Sequence, residues 1–337
     1  MLCLLLAAVC SCAGRIQLAD EADRNLVMNA ILSTSDSVHT VYVCYGSLNR
    51  LSSVPDCTVK CYVNGGYVSS GTLGPSDSDI EFKAFFGPGD EIRLEAETSD
   101  GDYAKSVVVA PSPGCVSKAS FDTVRLKLPT EDNVRDYLRI ISTVSDIKNE
   151  SDWYRISLLR HSKAILTAEG TYSRYREGQV VLDETLSLKT FNYLDPVLYS
   201  GISLSGDEDI DKSNYFSNTL NIFSDSSFEN GECDMSLLVQ PNLYSKPAAY
   251  SGGDEFLLES EIIVRLSAMS RDSFNYLNAF QLESSDAAGI YLICPYPFPS
   301  NVAGGLGYVA VFSDYDYVLK LPDKKLSEGR ISDLTAE

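Results

Sequence analysis

From Asn25 onward the chain alternates apolar and polar residues in short runs, each bounded by turn-forming residues. In Leu26–Leu32 the side chains of Leu26, Met28, Ala30 and Leu32 share one face, a period of two that predicts a half-buried strand. Val38–Tyr45 repeats the pattern. Cys57–Val63 then runs into Asn64-Gly65-Gly66, a sequence that tolerates positive φ and so marks a hairpin. Asp79–Ala84, Glu91–Thr98 and Tyr103–Ala110 continue the series, separated by Gly87-Pro88-Gly89-Asp90 and by Ser99-Asp100-Gly101-Asp102. Short strands at such close and regular spacing predict a mainly β fold that opens with an immunoglobulin-like β-sandwich over residues 25–112.

The segment Ala110-Pro-Ser-Pro-Gly-Cys115 breaks the alternation and reads as a domain boundary. A larger β-rich domain is expected over residues 113–323. Val116–Leu128 and Tyr137–Val144 read as extended. In Trp153–Arg160, Tyr154, Ile156 and Leu158 face one way while Arg155 and Ser157 face the other. The longest run, Phe256–Met269, places Leu258, Ile262, Val264, Leu266 and Ala268 on one side and Glu259, Glu261, Arg265 and Ser267 on the other, as a half-solvated antiparallel strand does. The period then changes: Phe274, Leu277 and Phe280, with Tyr276 and Ala279 beside them, recur at helical spacing over Arg271–Ser284, after Ser270 as N-cap. This is the one main helix expected. Gly305–Ser313 closes the domain as a strand, and residues 324–337 read as a loose polar tail.

The first twelve residues carry no charge and end in Val9-Cys10-Ser11-Cys12. An apolar run this short falls well below the ~20 residues that cross a bilayer. It matches the core of a secretory signal. An aliphatic residue, two small ones and a Cys form a lipobox, so Cys12 is the expected lipidation site and residues 13–24 a tether. No Lys or Arg precedes Arg15, which departs from the usual cationic start of such signals. Acyl chains contribute roughly 0.8 kcal/mol per buried methylene, enough for firm membrane attachment.

The net charge is −20, all of it beyond the signal, and argues against nucleic acid as a partner. Between Gly201 and Ser260 eleven Asp or Glu face two Lys, which makes either a solvated acidic face or a docking surface for a cationic partner. Cys44, Cys57, Cys61, Cys115, Cys233 and Cys294 remain beyond the anchor. Cys57 and Cys61 lie about 13 Å apart if they share one strand, too far to bond each other. A bridge from Cys44 to either, or free buried thiols, both stay open.

Chemistry-bearing patterns are sparse. Asp207-Glu-Asp-Ile-Asp211 alternates carboxylates, yet the Gly and Glu of a calcium loop are replaced by Lys212 and Asn218. Gly201-Ile-Ser203-Leu-Ser205 lacks the second Gly of a nucleophile elbow. With only His39 and His161 in the chain and no C-x-x-C, neither a Ser-His machine nor a metal site is expected, and no cofactor. The pairs Asp100/Asp102 and Asp314/Asp316 rank lower still. Pro295-Tyr-Pro-Phe-Pro is the most distinctive segment. It is read either as a packed corner or as a clamp in which Tyr296 and Phe298 contact a ligand or partner.

Taken in order, Asn25-Leu-Val-Met-Asn-Ala-Ile-Leu, Pro88-Gly-Asp-Glu-Ile-Arg-Leu-Glu-Ala, Trp153-Tyr-Arg-Ile-Ser-Leu, Asn221-Ile-Phe-Ser-Asp-Ser-Ser-Phe-Glu-Asn-Gly and Pro299-Ser-Asn-Val-Ala-Gly-Gly-Leu-Gly resemble one family. It is the Bacteroidota outer-membrane lipoprotein family carrying the domain of unknown function numbered 4249. The resemblance implies a β-sandwich followed by a larger β-rich domain, and work beside TonB-dependent receptors in uptake. It brings no catalytic residues. The phylum's O-glycosylation pattern, Asp-Ser/Thr-aliphatic, falls at Asp36-Ser37-Val38 and Asp122-Thr123-Val124, making Ser37 and Thr123 candidate glycosylation sites. The expectation is a non-enzymatic, outer-membrane-anchored binding or accessory component of a TonB-dependent system. A stand-alone ligand- or peptide-binding lipoprotein is the alternative, and a hydrolase ranks last.

Overall fold

The structure is a computed structural model that describes residues 24–47, 50–74, 77, 79–129, 131–145, 152–200, 218–228, 231–248, 252–283 and 299–333. The period-two runs become strands as expected. β1 (Asn25–Ser33), β2 (Val38–Ser47), β3 (Arg50–Ser52) and β6 (Asp79–Lys83) form one layer. β4 (Thr58–Val63), β5 (Gly66–Thr72), β7 (Glu91–Glu97) and β8 (Tyr103–Val109) form the other. Asn64 and Gly65 turn the β4–β5 hairpin with φ of 50° and 80°. The inward residues of both layers, among them Met28, Leu32, Val41, Val59, Ile92 and Leu94, meet in one core. Each such side chain contributes about 1.5–3 kcal/mol by leaving water. Cys57 and Cys61 are free thiols in this core. Cys44 sits on β2, whose partners are β1, β3 and β6 and not β4, so the cross-strand bridge is replaced by buried thiols packed as small hydrophobes.

The second unit is also layered. β9 (Cys115–Leu126), β10 (Arg135–Ser145) and β14 (Glu232–Val239) make a three-stranded sheet. It packs on a long sheet of β11 (Trp153–Ala168), β12 (Val180–Ser187), β13 (Ile222–Ser224) and β15 (Glu255–Met269). Tyr154, Ile156 and Leu158 of β11, with Ile262, Val264 and Leu266 of β15, bury the inner face of that sheet. Two helices, α1 (Pro196–Ser200) and α2 (Arg271–Glu283), flank it. Ser270 caps α2: its hydroxyl accepts the Ser273 N–H at 3.2 Å. Leu277 and Ala279 are buried as the helical spacing predicts, whereas Phe280 is exposed because the helix turns its Leu277–Gln281 side inward. At the boundary segment Gly114 is required: a Cβ there would stand 2.6 Å from the Tyr154 ring.

The two units share a strand. β17 (Val309–Lys320) runs parallel to β1 over Val309–Phe312, then antiparallel to β15 over Ser313–Lys320. β16 (Val302–Ala303) adds to β8. The expectation of a sandwich confined to residues 25–112 is therefore corrected. The return segment covers the edge of β1 and buries Val302, Val309 and Val311 in the sandwich core. The loose tail from Lys324 is corrected too. β18 (Lys324–Ser327) pairs with β15 and with β19 (Arg330–Asp333), because Leu326 is wholly buried among Ala164, Phe256 and Leu258.

Candidate functional site

A cleft of about 690 Å³ opens where β17 passes from one unit to the other. Its floor follows from strand register. Arg155 on β11 stands opposite Ser267 on β15, and Ser267 stands opposite Asp314 on β17. Directly opposed residues share a face. The three side chains therefore form one row on the outer face of the long sheet, followed by a second row of Ser157, Arg265 and Asp316. Ile31, Ser33 and Phe312 close the cleft from the sandwich side.

The opposite wall is held by buried amides. The Asn218 side chain donates to the carbonyls of Leu198 (2.9 Å) and Ile222 (2.7 Å) and accepts the Ile222 N–H (3.0 Å). Asn192 donates to the Asn218 carbonyl at 2.8 Å and to Asn221 Oδ1 at 3.0 Å. Asn221, whose φ is 51°, donates to Thr190 Oγ1 at 2.8 Å. Gln281 of α2 accepts the Leu220 N–H at 2.8 Å and so fastens this wall to the helix. Satisfied networks of this kind rigidify the backbone that carries them.

The charges on the floor are unequally matched. Arg265 donates two parallel bonds to Asp316, both 2.8 Å, and its third nitrogen lies 3.6 Å from Asp314 Oδ2. The bond to Asp316 raises the Arg265 pKa, against the opposing effect of burial. Ser33 donates to Asp314 Oδ2 at 2.6 Å. Asp314 Oδ1 is buried without a hydrogen-bond partner, on a side chain only 4% exposed. Arg155 Nε is likewise buried and unpartnered. Burial lowers the pKa of the Arg155 guanidinium, while the Asp314 charge pulls the other way. The two groups thus sense each other without forming an ion pair among the described residues.

Of the residues singled out in the sequence, Cys12, Tyr296 and Phe298 lie outside the described residues, as do the Asp207–Asp211 run and Ser203. Ser37 is exposed in the turn between β1 and β2, and Thr123 is exposed on β9. Neither lines the cleft, although Asp36 beside Ser37 does. Asp122, next to Thr123, is held by Arg139 through a bond of 2.8 Å from Nε. His161 lies between Asp183 at 2.8 Å and Glu261 at 3.6 Å, a surface ion cluster apart from the cleft. The cleft residues missed in the sequence carried a signal. Arg155, Ser157, Arg265 and Ser267 are the polar positions of strands whose other face is apolar, and the Asp314/Asp316 pair sits at the same period on the facing strand.

Fold and site define a mainly β protein of two packed units with a polar cleft at their shared strand. The chain belongs to the family described as Domain of unknown function (DUF4249), whose model matches residues 15–317. No curated protein matches it. Among solved structures, a Corynebacterium diphtheriae protein described as membrane anchored is similar over 73% of this chain and 55% of its own length, at 12% identity and a TM-score of 0.20. The chain thus spans about half of that protein. No helix among the described residues is long and apolar enough to cross a membrane.

Proposed function

We propose that this protein is a non-enzymatic, lipid-anchored binding protein of the Bacteroidota outer membrane that holds a small polar ligand for a TonB-dependent receptor. The observation that carries the reading is the cleft. It has a volume typical of small-molecule sites, a rigid wall, an apolar side and two charged residues that each carry a buried atom without a hydrogen-bond partner. Asp314 is fixed by Ser33 and by the nearby Arg265 cation, an arrangement suited to holding a ligand. Anchoring rests on the Val9–Cys12 lipobox. A cationic face on the receptor would complement the net charge of −20.

Two measurements test this reading. Radiolabelled palmitate should enter the wild-type chain and not the Cys12→Ala variant. Affinity purification from detergent-solubilised outer membrane should recover a β-barrel receptor. Label in both chains would remove the anchor from the proposal. A protein that binds ligand but recovers no receptor under any growth condition would be a stand-alone binding lipoprotein.

A further inference from the structure

Taking the cleft as the binding site, we propose that its ligand is a small zwitterion, a free α-amino acid or dipeptide, whose carboxylate meets the Arg155 guanidinium and whose ammonium meets the Asp314 carboxylate. Arg155, Ser267 and Asp314 stand side by side in one row on three adjacent strands. Adjacent strands lie about 4.8 Å apart, so the first and third members of the row have backbones roughly 10 Å apart. Ser267 between them is short and itself buried, so no long side chain of the row separates the two charges. The result is a cation and an anion on one floor, close enough to interact yet not in contact.

Both residues line the same cleft, and each carries a buried polar atom that no described residue partners. Arg155 donates no side-chain hydrogen bond to any described residue, and its Nε is shielded from water. Asp314 offers one carboxylate oxygen with no donor, the other being held by Ser33. A buried polar atom left in this state costs about 1–3 kcal/mol, more when charged. A purely anionic ligand would satisfy Arg155 and be repelled by Asp314. A purely cationic ligand would do the reverse. A molecule carrying both charges a few ångströms apart satisfies both, with the polarity the row dictates. The rest of such a ligand lies against Ile31, Leu220 and Phe312, which give the cleft its apolar side.

The test is calorimetric titration of the full chain with a pool of free amino acids and with a pool of dipeptides, each compared with its N-acetylated and its C-amidated form. A free pool should bind, and either blocked form should bind at least thirtyfold more weakly, since each loses a charge-assisted bond to a buried partner. Arg155→Met should erase the penalty for C-amidation, and Asp314→Asn the penalty for N-acetylation. If a variant fails to fold, the blocked ligands on the wild-type chain decide the matter alone. Equal binding of either blocked form would overturn the proposal. So would binding of neutral oligosaccharides in place of both pools, blocked by Ser157→Trp, although the cleft would then stand as a binding site. If no pool binds and Ser157→Trp alters no interaction of the protein, the proposal and the reading of the cleft both fall. Binding of amino acids or of dipeptides alone, with the blocking penalties intact, supports the proposal and identifies the ligand's source.

Discussion

Ser33 Oγ donates to Asp314 Oδ2 at 2.6 Å, tying the end of the first strand to a residue 281 positions later on the strand both units share. The bond joins the sandwich to the floor of the cleft and helps hold a carboxylate that is otherwise shut off from water. Removing it with Ser33→Ala should destabilise the protein by about 2 kcal/mol, the range for a hydrogen bond to a charged group. Urea denaturation of the purified chain measures this. An unchanged midpoint would mean that Arg265 alone suffices to hold Asp314.

His39 gives stability a dependence on pH. It is buried on β2, donates from Nε2 to the Ala84 carbonyl at 3.2 Å and stacks on Phe86 at 4.7 Å. Burial pulls its pKa below the ordinary 6.5, although the Ala84 bond and the Asp36 charge favour the proton. The folded chain therefore binds fewer protons than the unfolded one just below pH 6.5. Its contribution is fully present above that value and is lost as pH falls toward the folded pKa. Wild type should lose stability between pH 7.5 and 5, and His39→Gln should lose measurably less over the same interval. Equal slopes in urea titrations at the two pH values would show that other groups dominate. Asp90 and Asp122 are not among those groups: hydrogen bonds hold their pKa values below 3.8, outside the window.

Thiol reactivity should follow burial. Cys57 and Cys61 are pushed up to about 11 by burial in the sandwich core, so their thiolates are scarce near neutrality. Cys115 is exposed at the start of β9. Brief iodoacetamide treatment of the native chain at pH 8, read by peptide mass spectrometry, should modify Cys115 first among the five described cysteines. Cys57 and Cys61 should stay unmodified until denaturant is added. Early labelling of Cys61 would mean that the sandwich opens far more readily than its packing implies.

These residues also show where the sequence was readable. Alternation located β1, β4, β7, β11 and β15 because each has one apolar face against a core and one polar face against water or the cleft. It could not reveal that Gly305–Ser313 returns to the first sandwich. Val309 and Val311 suit any core, and the partner that selects their place is the unpaired edge of β1, nearly 280 residues away. β12 is hard to read from sequence because its burial pattern hardly alternates, and β18 because a single buried residue, Leu326, fixes it. The cleft was half visible. Arg155, Arg265 and Ser267 were placed on the polar faces of their strands, but only strand register shows that Ser267 lies between Arg155 and Asp314. Two carboxylates spaced i, i+2 are common in an acidic chain. The arginines opposite give this pair its meaning.

The glycine segment that precedes β17 sets the position of the cleft floor. Leu306 exchanges backbone bonds with Leu26 and Met28, both 2.9 Å, which brings this segment against β1 before the strand proper begins. Gly307 adopts φ +110°, and a Cβ there would stand 2.3 Å from the Met28 carbonyl oxygen. Backbone strain and overpacking each cost about 1–3 kcal/mol, so Gly307→Ala should destabilise by roughly 3 kcal/mol or more. Gly89 is the control: its φ is +86°, but no atom lies within 4 Å of an added Cβ, so Gly89→Ala should lose only the strain, about 1 kcal/mol. Urea denaturation compares the two. Because Gly307 lies seven residues before Asp314 on the segment that enters β17, its replacement should also weaken ligand binding, while Gly89→Ala should leave binding unchanged. Equal losses of stability in the two variants would show that close backbone approach at β1 does not fix the start of the shared strand.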